Sequence, residues 1–337
     1  MAKILVTGGA GYIGSHTCLE LLNSGYEVSV IDNLSNSSYE SIRRVEQITG
    51  KKIDFHNLDV REEMKLLEIF SNNHFDGVIH FAGLKAVGES VNSPLEYYQN
   101  NVSGTLALFN VMKKCNCRVI VFSSSATVYG KPSSLPIKEN FPLKVTNPYG
   151  RSKLVVEEIL RDLHFSDTSW SIGLLRYFNP IGAHESGLIG EDPRGIPNNL
   201  LPFVAQVAIG KRKEVIVHGD DYDTIDGTGV RDYIHVVDLA LGHIKSLELL
   251  INKQKLITVN FGTGNGYSVL EIIRTYESVC KKEIPFKIST RRAGDIDSCY
   301  ADVGYAKKIL HWKAERSLYD MCKDSWNWQV NNPDGFS

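Results

Sequence analysis

The sequence predicts an α/β fold, a doubly wound parallel sheet followed by a smaller mixed α/β unit. Short apolar strands alternate with helical patterns through the first half of the 337-residue chain, and a glycine-rich turn follows the first strand. After about residue 180, proline, glycine and asparagine become frequent and the alternation ends. Strands that are apolar on both faces are typical of a parallel sheet covered by helices. We therefore predict two domains, residues 1–180 and 181–337.

The first βαβ unit has the features of a dinucleotide site. The pattern predicts a strand, a helix and a second strand over residues 3–6, 13–22 and 27–31. Gly8, Gly11 and Gly14 permit a tight turn and let backbone N–H groups approach a pyrophosphate at the helix N-terminus. Asp32 follows the second strand, where a carboxylate suits ribose hydroxyls and would repel a 2′-phosphate. These features predict a Rossmann-type domain that binds NAD rather than NADP.

The same alternation continues to residue 176. Further elements are predicted as strands over residues 53–56, 78–83, 119–122 and 171–176 and as a long helix over residues 94–114. Ligands of such sheets bind beyond the C-terminal ends of the strands. The residues at these ends are therefore expected to line one cleft, and they are Asp32, Asp59, Phe81, Ala82, Gly83, Ser125, Tyr177, Phe178 and Asn179.

A second helix start places a phenol near an ammonium. Asparagine is a favourable N-cap and proline suits the first helical position, so Asn147 and Pro148 predict a helix beginning there. Tyr149 and Lys153 then lie one turn apart on one face. We expect Lys153 and the positive helix end to lower the tyrosine pKa from its usual value near ~10, which would suit proton abstraction from a sugar hydroxyl. From the spacing alone, an ordinary surface pair remains the alternative.

Composition and charge argue against several classes of protein. A hydrophobic content of 42% and a formal net charge of −2 without charged blocks indicate a globular protein that binds neither nucleic acid nor a membrane surface. We find no apolar run of membrane-spanning length, and the N-terminus turns glycine-rich too early for a signal peptide. The six cysteines have no zinc-like spacing, so we expect reduced thiols in a cytoplasmic protein without a metal site.

Several longer motifs indicate a family. They cover residues 6–16, 80–90, 123–130, 175–179, 195–200 and 227–235. Together with Tyr149 and Lys153 they resemble the extended short-chain dehydrogenase/reductase family over nearly the whole chain. Within that family the chain resembles the NAD-dependent enzymes that epimerise UDP-hexoses at C4 through a transient 4-keto intermediate. The resemblance also implies a homodimer, a UDP-sugar substrate and a role in galactose or polysaccharide-precursor metabolism.

The resemblance assigns roles residue by residue. The catalytic set is Tyr149, Lys153 and Ser125. The NAD contacts are expected at Gly8, Gly11, Tyr12, Ile13, Gly14, Asp32, Asn33, Leu34, Ser35, Asn36, Ser37, Asp59, Val60, Phe81, Ala82, Gly83, Leu84, Lys85, Asn100, Ser125, Tyr149, Lys153 and Phe178. The contacts to the UDP-sugar are expected at Lys85, Ser125, Tyr149, Tyr177, Asn179, Asn199, Leu200, Ile216, His218, Arg231, Tyr233, Arg292, Asp295 and Cys299.

One position departs from some members of the family. Cys299 stands where the family borders the sugar pocket near the C2 substituent, and some bacterial members have a tyrosine there. Because cysteine is far smaller than tyrosine, the resemblance implies room for an N-acetyl group. The expected substrates are UDP-glucose and UDP-galactose together with UDP-GlcNAc and UDP-GalNAc. A buried small side chain is the compatible alternative for Cys299.

Two other reactions occur on this fold. A nucleotide-sugar 4,6-dehydratase needs an acid pair after the catalytic hydroxyl, whereas Ala126 and Thr127 follow Ser125. A net dehydrogenase would release NADH during turnover. A non-enzymatic nucleotide-binding protein would be expected to lack Tyr149 or Lys153, and the sequence has both.

Overall fold

The computed structural model describes residues 1–292 and 294–336. The strands are β1 (Lys3–Thr7), β2 (Glu27–Asp32), β3 (Asp54–Asn57), β4 (Gly77–His80), β5 (Val119–Ser125), β6 (Ser171–Tyr177), β7 (Asn179–Ile181), β8 (Val215–His218), β9 (Val230–His235), β10 (Leu256–Phe261), β11 (Gly266–Ser268), β12 (Phe286–Ser289) and β13 (Ser298–Cys299). The helices are α1 (Tyr12–Asn23), α2 (Tyr39–Thr49), α3 (Glu63–Asn72), α4 (Val87–Asn92), α5 (Pro94–Tyr98), α6 (Gly104–Lys114), α7 (Pro148–Ser166), α8 (Leu200–Ala208), α9 (Val236–Asn252), α10 (Val269–Cys280), α11 (Gly304–Leu310) and α12 (Leu318–Asn331).

A seven-stranded parallel sheet dominates the fold. Its strand order is β10-β6-β5-β4-β1-β2-β3, and every neighbouring pair is parallel. Adjacent residues of β1 enter different apolar clusters, since Ile4 belongs to one and Leu5 to another. Both faces of the sheet are therefore buried, as its continuous apolar strands require. The predicted doubly wound α/β fold is confirmed, and the chain reverses its winding between β1 and β4.

The sheet extends beyond the boundary predicted at residue 180. Strand β10 pairs along β6 with Leu256 opposite Ile172, and helix α9 packs against α1. The predicted boundary therefore does not separate the strands of the main sheet. The loss of βα alternation after residue 180 is real, but the chain returns to the sheet edge once it has formed other structure.

The predicted long helix over residues 94–114 is interrupted. Residues Gln99–Ser103 form a π-helical segment between α5 and α6. Such wide turns shift the register of a helix and are frequent at functional sites. Here the shift turns Asn101 into the protein, where it is 4% exposed.

The remaining strands form two small sheets. Strand β9 pairs with β7, β11 and β13, while β8 pairs with β12. Helices α8, α10 and α12 pack together beside them around their own apolar cluster. This mixed α/β part carries most of the residues expected to contact a UDP-sugar. Among the described residues, no helix combines the length and the apolar character needed to cross a membrane.

Candidate active site

The glycine turn lies between β1 and α1, close to the end of β4. Gly8 has a φ of 71°, and a Cβ at this position would lie 2.7 Å from the backbone nitrogen of Ala82. A Cβ on Gly14 would overlap the carbonyl oxygen of Gly8. Only glycine fits these two positions, because the first requires a left-handed backbone and both require close backbone approach. Helix α1 begins with the uncharged residues Tyr12, Ile13 and Gly14, so its positive end faces the turn without a neutralising acid.

Asp32 organises the loop that follows β2. Its carboxylate is 8% exposed and accepts hydrogen bonds from the backbone N–H groups of Ala10 and Leu34 at 3.0 and 2.9 Å. It also accepts one from the Ser37 hydroxyl at 2.7 Å. The carboxylate therefore connects the glycine turn to residues 33–37, which were predicted to contact the cofactor.

Other predicted cofactor residues lie at neighbouring strand ends. The Asn33 amide donates to the Asp59 carboxylate at 2.9 Å, and Arg61 forms a two-pronged ion pair with the same carboxylate. The hydrogen bonds from Arg61 hold the pKa of Asp59 well below its usual range. Lys85 lies further along the chain and forms an ion pair with Glu191 at 3.2 Å, with more than half of the lysine side chain exposed.

The predicted Asn100 is half-buried, but its neighbour makes the stronger contacts. The Asn101 carboxamide accepts from Leu84 N–H at 2.7 Å and donates to the Leu84 carbonyl oxygen at 3.0 Å. It also donates to the Ser152 hydroxyl at 3.0 Å. Asn101 thus ties the loop after β4 to helix α7, a role that sequence analysis missed because it did not predict the π-helical segment.

Ser125, Tyr149 and Lys153 come together at the end of β5. Helix α7 begins as predicted, with the Asn147 side chain accepting from Gly150 N–H at 2.8 Å and Pro148 in the first turn. Ser125 is the last residue of β5, Tyr149 lies in the first turn of α7, and Thr127 Oγ1 donates to Ser125 Oγ at 3.0 Å. This Thr127 contact is a further feature that sequence analysis missed.

Burial governs the protonation of this group. Burial raises the pKa of Tyr149 above its ordinary value, and the nearby Ser125 hydroxyl acts in the opposite direction. It also lowers the pKa of Lys153 from 10.5 to about 8. The ammonium lies 6.0 Å from the centre of the Tyr149 ring and 5.0 Å from that of Phe122. The expectation that Lys153 and the helix end acidify Tyr149 is thus not met by the protein groups alone, because desolvation outweighs them.

A buried ion pair fixes α7 to the sheet. Arg176 of β6 and Glu157 of α7 are 1% and 0% exposed at their side chains, and their closest N–O distance is 2.6 Å. Ser124, next to Ser125, donates to the same carboxylate at 2.5 Å. Arg176 lies within the motif of residues 175–179, but no role was predicted for it, and Glu157 lies outside the motifs. The ion pair therefore holds the middle of α7 against β6, and Ser124 adds a contact from the end of β5.

Two predicted site residues next to β6 are buried. The Tyr177 hydroxyl is hydrogen-bonded to the His243 ring, and burial raises the pKa of Tyr177 well above its ordinary value. Phe178 is 7% exposed and packs in a cluster that includes Val128 and Ile137. The structure therefore brings the Tyr177 hydroxyl to α9 rather than to the hydroxyls of Tyr149 and Ser125.

One group of the residues predicted for the substrate lies on β9, on β13 and in the segment just before β13. The Arg231 guanidinium donates to the carbonyl oxygens of Val230 and Ile296 at 2.8 and 2.9 Å, and it lies 3.6 Å from the Asp295 carboxylate. Cys299 of β13 is half-buried and stands opposite Arg231 in the strand register. Arg231, Asp295 and Cys299 thus form one group, and Arg292 is exposed nearby in the chain.

The other predicted substrate residues are spread over four elements. Asn179 is exposed at the start of β7 and pairs with Tyr233, which is 5% exposed. Helix α8 begins at Leu200. The side-chain amide of Asn199, the residue before it, donates a hydrogen bond to the Glu191 carboxylate at 2.7 Å. The half-buried side chains of β8 are those of Ile216 and His218.

These groups fit a nicotinamide dinucleotide. The glycines leave a backbone cradle at an unneutralised helix end, which suits a pyrophosphate. The buried Asp32 carboxylate lies at the strand end where ribose hydroxyls are bound in such folds. Among the described residues, no cluster of three or more His, Cys, Asp or Glu side chains could hold a metal ion.

Comparisons with known proteins agree with this architecture. A family profile described as GDP-mannose 4,6 dehydratase matches residues 5–325. A UDP-glucose 4-epimerase of Bacillus subtilis (strain 168) is 60% identical over 333 residues, covering 99% of this chain and 98% of that protein.

Two solved structures are also similar along their whole length. The UDP-glucose 4-epimerase from Bifidobacterium longum, in complex with NAD+ and UDP, is 59% identical with a TM-score of 0.96, and the match covers 99% of this chain and 100% of that one. The UDP-glucose-4-epimerase from Stenotrophomonas maltophila, with bound NAD and formylated UDP-arabinopyranose, is 47% identical with a TM-score of 0.97, covering 99% of both chains. Since these matches extend from end to end, the chain belongs to the UDP-glucose 4-epimerase family of extended short-chain dehydrogenases/reductases.

Proposed function

We propose that the protein is an NAD-dependent isomerase that inverts C4 of UDP-glucose and UDP-galactose. The observation that carries the proposal is the position of Tyr149 in the first turn of α7, with the Lys153 ammonium 6.0 Å from the centre of its ring. Ser125 is the last residue of β5, which pairs with β4 beside the glycine turn. The proteins it resembles are named as UDP-glucose 4-epimerases, and two of them contain NAD.

The side chains can move one proton at a defined oxygen. Tyr149 accepts the proton of the sugar 4-hydroxyl while Ser125 hydrogen-bonds the same oxygen and relays the proton. When bound, NAD supplies reversible hydride transfer at C4, so that the sugar passes through a 4-keto intermediate. Lys153 would contact the nicotinamide ribose. Because burial raises the pKa of Tyr149, its phenolate form would be a stronger base toward the 4-hydroxyl. The proton that Tyr149 takes up is the one that it gives back to the 4-oxygen of the inverted sugar.

The substrate must be held at its nucleotide while its sugar turns. Arg231 is already fixed by two carbonyl oxygens, and Arg292 offers a second guanidinium for the diphosphate. Asp295 can accept hydrogen bonds from the uridine ribose. We therefore place the binding free energy on the UDP moiety and leave the hexose loosely held.

The test is a product assay with each UDP-hexose, performed without added NAD. Tyr149→Phe should lower the epimerisation rate by about 10²–10⁴-fold, the usual contribution of a positioned general base. Tyr305→Phe is the matched control, because Tyr305 is exposed on α11. A Tyr149→Phe enzyme that keeps its rate within tenfold of the parent would contradict the assignment.

The dehydratase and dehydrogenase alternatives make different products. The matching family profile is named for a dehydratase, but Ala126 and Thr127 follow Ser125 in this chain. The Thr127 hydroxyl donates a hydrogen bond to Ser125, and it is not the carboxylic acid that a dehydratase needs at this point of the chain. A 4-keto-6-deoxy product would indicate dehydration, and steady accumulation of NADH would indicate net oxidation.

We further propose that the substrate range includes UDP-GlcNAc and UDP-GalNAc. The support is the small side chain of Cys299, which stands beside Arg231 in the strand register. A tyrosine at this position would fill space that an N-acetyl group needs. Cys299→Tyr should therefore abolish turnover of the acetylated sugars while the plain hexoses are still converted. Failure of the parent to convert UDP-GalNAc while it converts UDP-galactose would refute this wider range.

We also propose that the protein is a homodimer. Apolar side chains are exposed on the neighbouring helices α5, α6 and α7, with Leu95, Leu106 and Val155 at 75%, 41% and 36% exposure. Leu95→Glu should give monomers by size exclusion with light scattering. Met64→Glu changes another exposed apolar residue, on α3, and should leave the mass unchanged. A monomeric parent would contradict the proposal.

A further inference from the structure

Arg194, in the C-terminal half of the sequence, donates hydrogen bonds to the loop that follows β2. Arg194 Nη1 donates to the carbonyl oxygen of Ser35 at 2.9 Å, and Nη2 donates to those of Leu34 and Ser37 at 3.1 and 2.8 Å. A single guanidinium thus joins three of the four carbonyl oxygens of residues 34–37. Arginine suits such a site because its planar fork presents several donors in fixed directions.

The gripped loop is the one organised by Asp32. Leu34 has a φ of 56°, a left-handed conformation that is unfavourable for a leucine. Asp32 holds the inner side of the loop through Leu34 N–H and the Ser37 hydroxyl. Arg194 holds its outer side through the carbonyl groups. The loop is therefore kept in a strained conformation by contacts on both sides rather than by its own backbone preference.

The segment that carries Arg194 is itself anchored. We call residues 191–199 the strap. At one end the Glu191 carboxylate accepts from Lys85 and from Asn199, and its backbone oxygen accepts from the Trp328 indole at 3.2 Å. Asp192 accepts from Phe336 N–H at 2.9 Å. These hydrogen bonds hold the strap in place, so that Arg194 can restrain the loop.

We propose that Arg194 is a positioning residue that closes residues 33–37 over the adenosine end of NAD and so slows dissociation of the cofactor. The inference rests on the proposed function for the identity of the cofactor. Asp32 lies where the adenosine ribose binds in such folds, so NAD cannot leave at this end unless the loop moves. Movement of the loop requires the three Arg194 hydrogen bonds to break first.

The experiment measures NAD release from the purified holoenzyme, in the absence of any UDP-sugar. Released NAD is captured by an excess of an auxiliary alcohol dehydrogenase with ethanol, and the NADH formed is followed over time. Arg194→Gln removes the guanidinium and its charge, whereas Arg194→Lys keeps the positive charge without the guanidinium. Arg274→Gln is the matched control, because Arg274 lies on the exposed side of α10. Hydrogen–deuterium exchange of the peptide containing residues 33–38 reports on the loop itself.

We expect Arg194→Gln to release NAD at least tenfold faster than the parent, or about 1.4 kcal/mol in the release barrier. Arg194→Lys should release NAD at a rate between those of the parent and Arg194→Gln, because one ammonium cannot bind three separate carbonyl groups equally well. Exchange should quicken in residues 33–38, whereas Arg274→Gln should match the parent in both measurements.

An unchanged release rate in Arg194→Gln, with an active NAD-loaded parent, would overturn the inference and leave the proposed function intact. Faster release without faster exchange in residues 33–38 would also overturn it, since the loop would not be the element that Arg194 holds. A parent that neither retains NAD nor epimerises UDP-hexoses would overturn both proposals.

Discussion

Replacing Lys153 by methionine should stabilise the fold at neutral pH while impairing the proposed reaction. Lys153 is 5% exposed, and burial lowers the pKa of its ammonium from 10.5 to about 8. Folding therefore disfavours the charged form, by about 3 kcal/mol for a shift of this size. Methionine has a similar length and no charge, so it can contact the Phe122 ring without this cost.

The sign of the pH dependence follows from proton binding. Between about pH 8 and 10.5 the unfolded chain holds the Lys153 proton more strongly than the folded protein does. The parent's free energy of unfolding therefore rises with pH across this window as the cost of the buried charge is relieved. Below pH 8 the full cost is present. Lys153→Met should gain up to about 3 kcal/mol at pH 7, and the gain should fade as the pH approaches 10.5.

The assay is urea denaturation of NAD-depleted protein at pH 7 and pH 10, so that altered cofactor affinity does not enter the comparison. Lys131→Met is the control, because Lys131 is exposed and its charge stays in water. It should change the free energy of unfolding little at either pH. The reasoning fails if Lys153→Met shows no gain at pH 7, or if its gain is equally large at pH 10.

Three other changes test the parts that surround this lysine. Glu157→Gln should lower the free energy of unfolding by about 3–5 kcal/mol, because it leaves the buried Arg176 charge uncompensated. Thermal denaturation measures this loss, and a loss below about 1 kcal/mol would contradict the prediction. Gly14→Ala should destabilise the turn by about 1–3 kcal/mol and weaken NAD binding measured by calorimetry, since its Cβ overlaps the Gly8 carbonyl; unchanged affinity would count against the cradle. Asp32→Ala removes an acceptor shared by three donors, so the purified protein should contain less NAD; full occupancy would argue against its role.

The parts of the fold that could be predicted are those encoded locally. The first strand, the glycine turn, helix α1 and the second strand follow one another along the chain, and each carries its own signal. Strand β10 could not be placed in the same way. Its residues, Leu256–Phe261, have a strand-like pattern, but their partner β6 lies far away in the sequence. Nothing local distinguishes a strand that returns to the sheet from one that joins a small sheet nearby.

The site shows the same limit at the level of single residues. The helix beginning at Pro148 was predictable because its capping residues precede Tyr149 directly. The interior contact of Asn101 was not, since a π-helical segment changes which side chain faces inward. The pKa directions also depend on tertiary burial. Spacing suggested that Lys153 would acidify Tyr149, whereas desolvation, which only the folded protein reveals, moves both groups toward their neutral forms.

The proposed reaction needs a nucleotide that is held firmly and a sugar that is held loosely, and two neighbouring side chains of the candidate substrate site differ in this way. The Arg231 guanidinium is already fixed by two backbone carbonyl oxygens, so little side-chain freedom is lost when it meets a diphosphate. Cys299, opposite it in the register, offers a small and weakly polar surface. A larger polar side chain there would add contacts to one orientation of the hexose. Those contacts would stabilise one epimer over the other and hinder rotation of the 4-keto sugar. The few polar contacts that Cys299 can offer therefore suit a reversible inversion at C4.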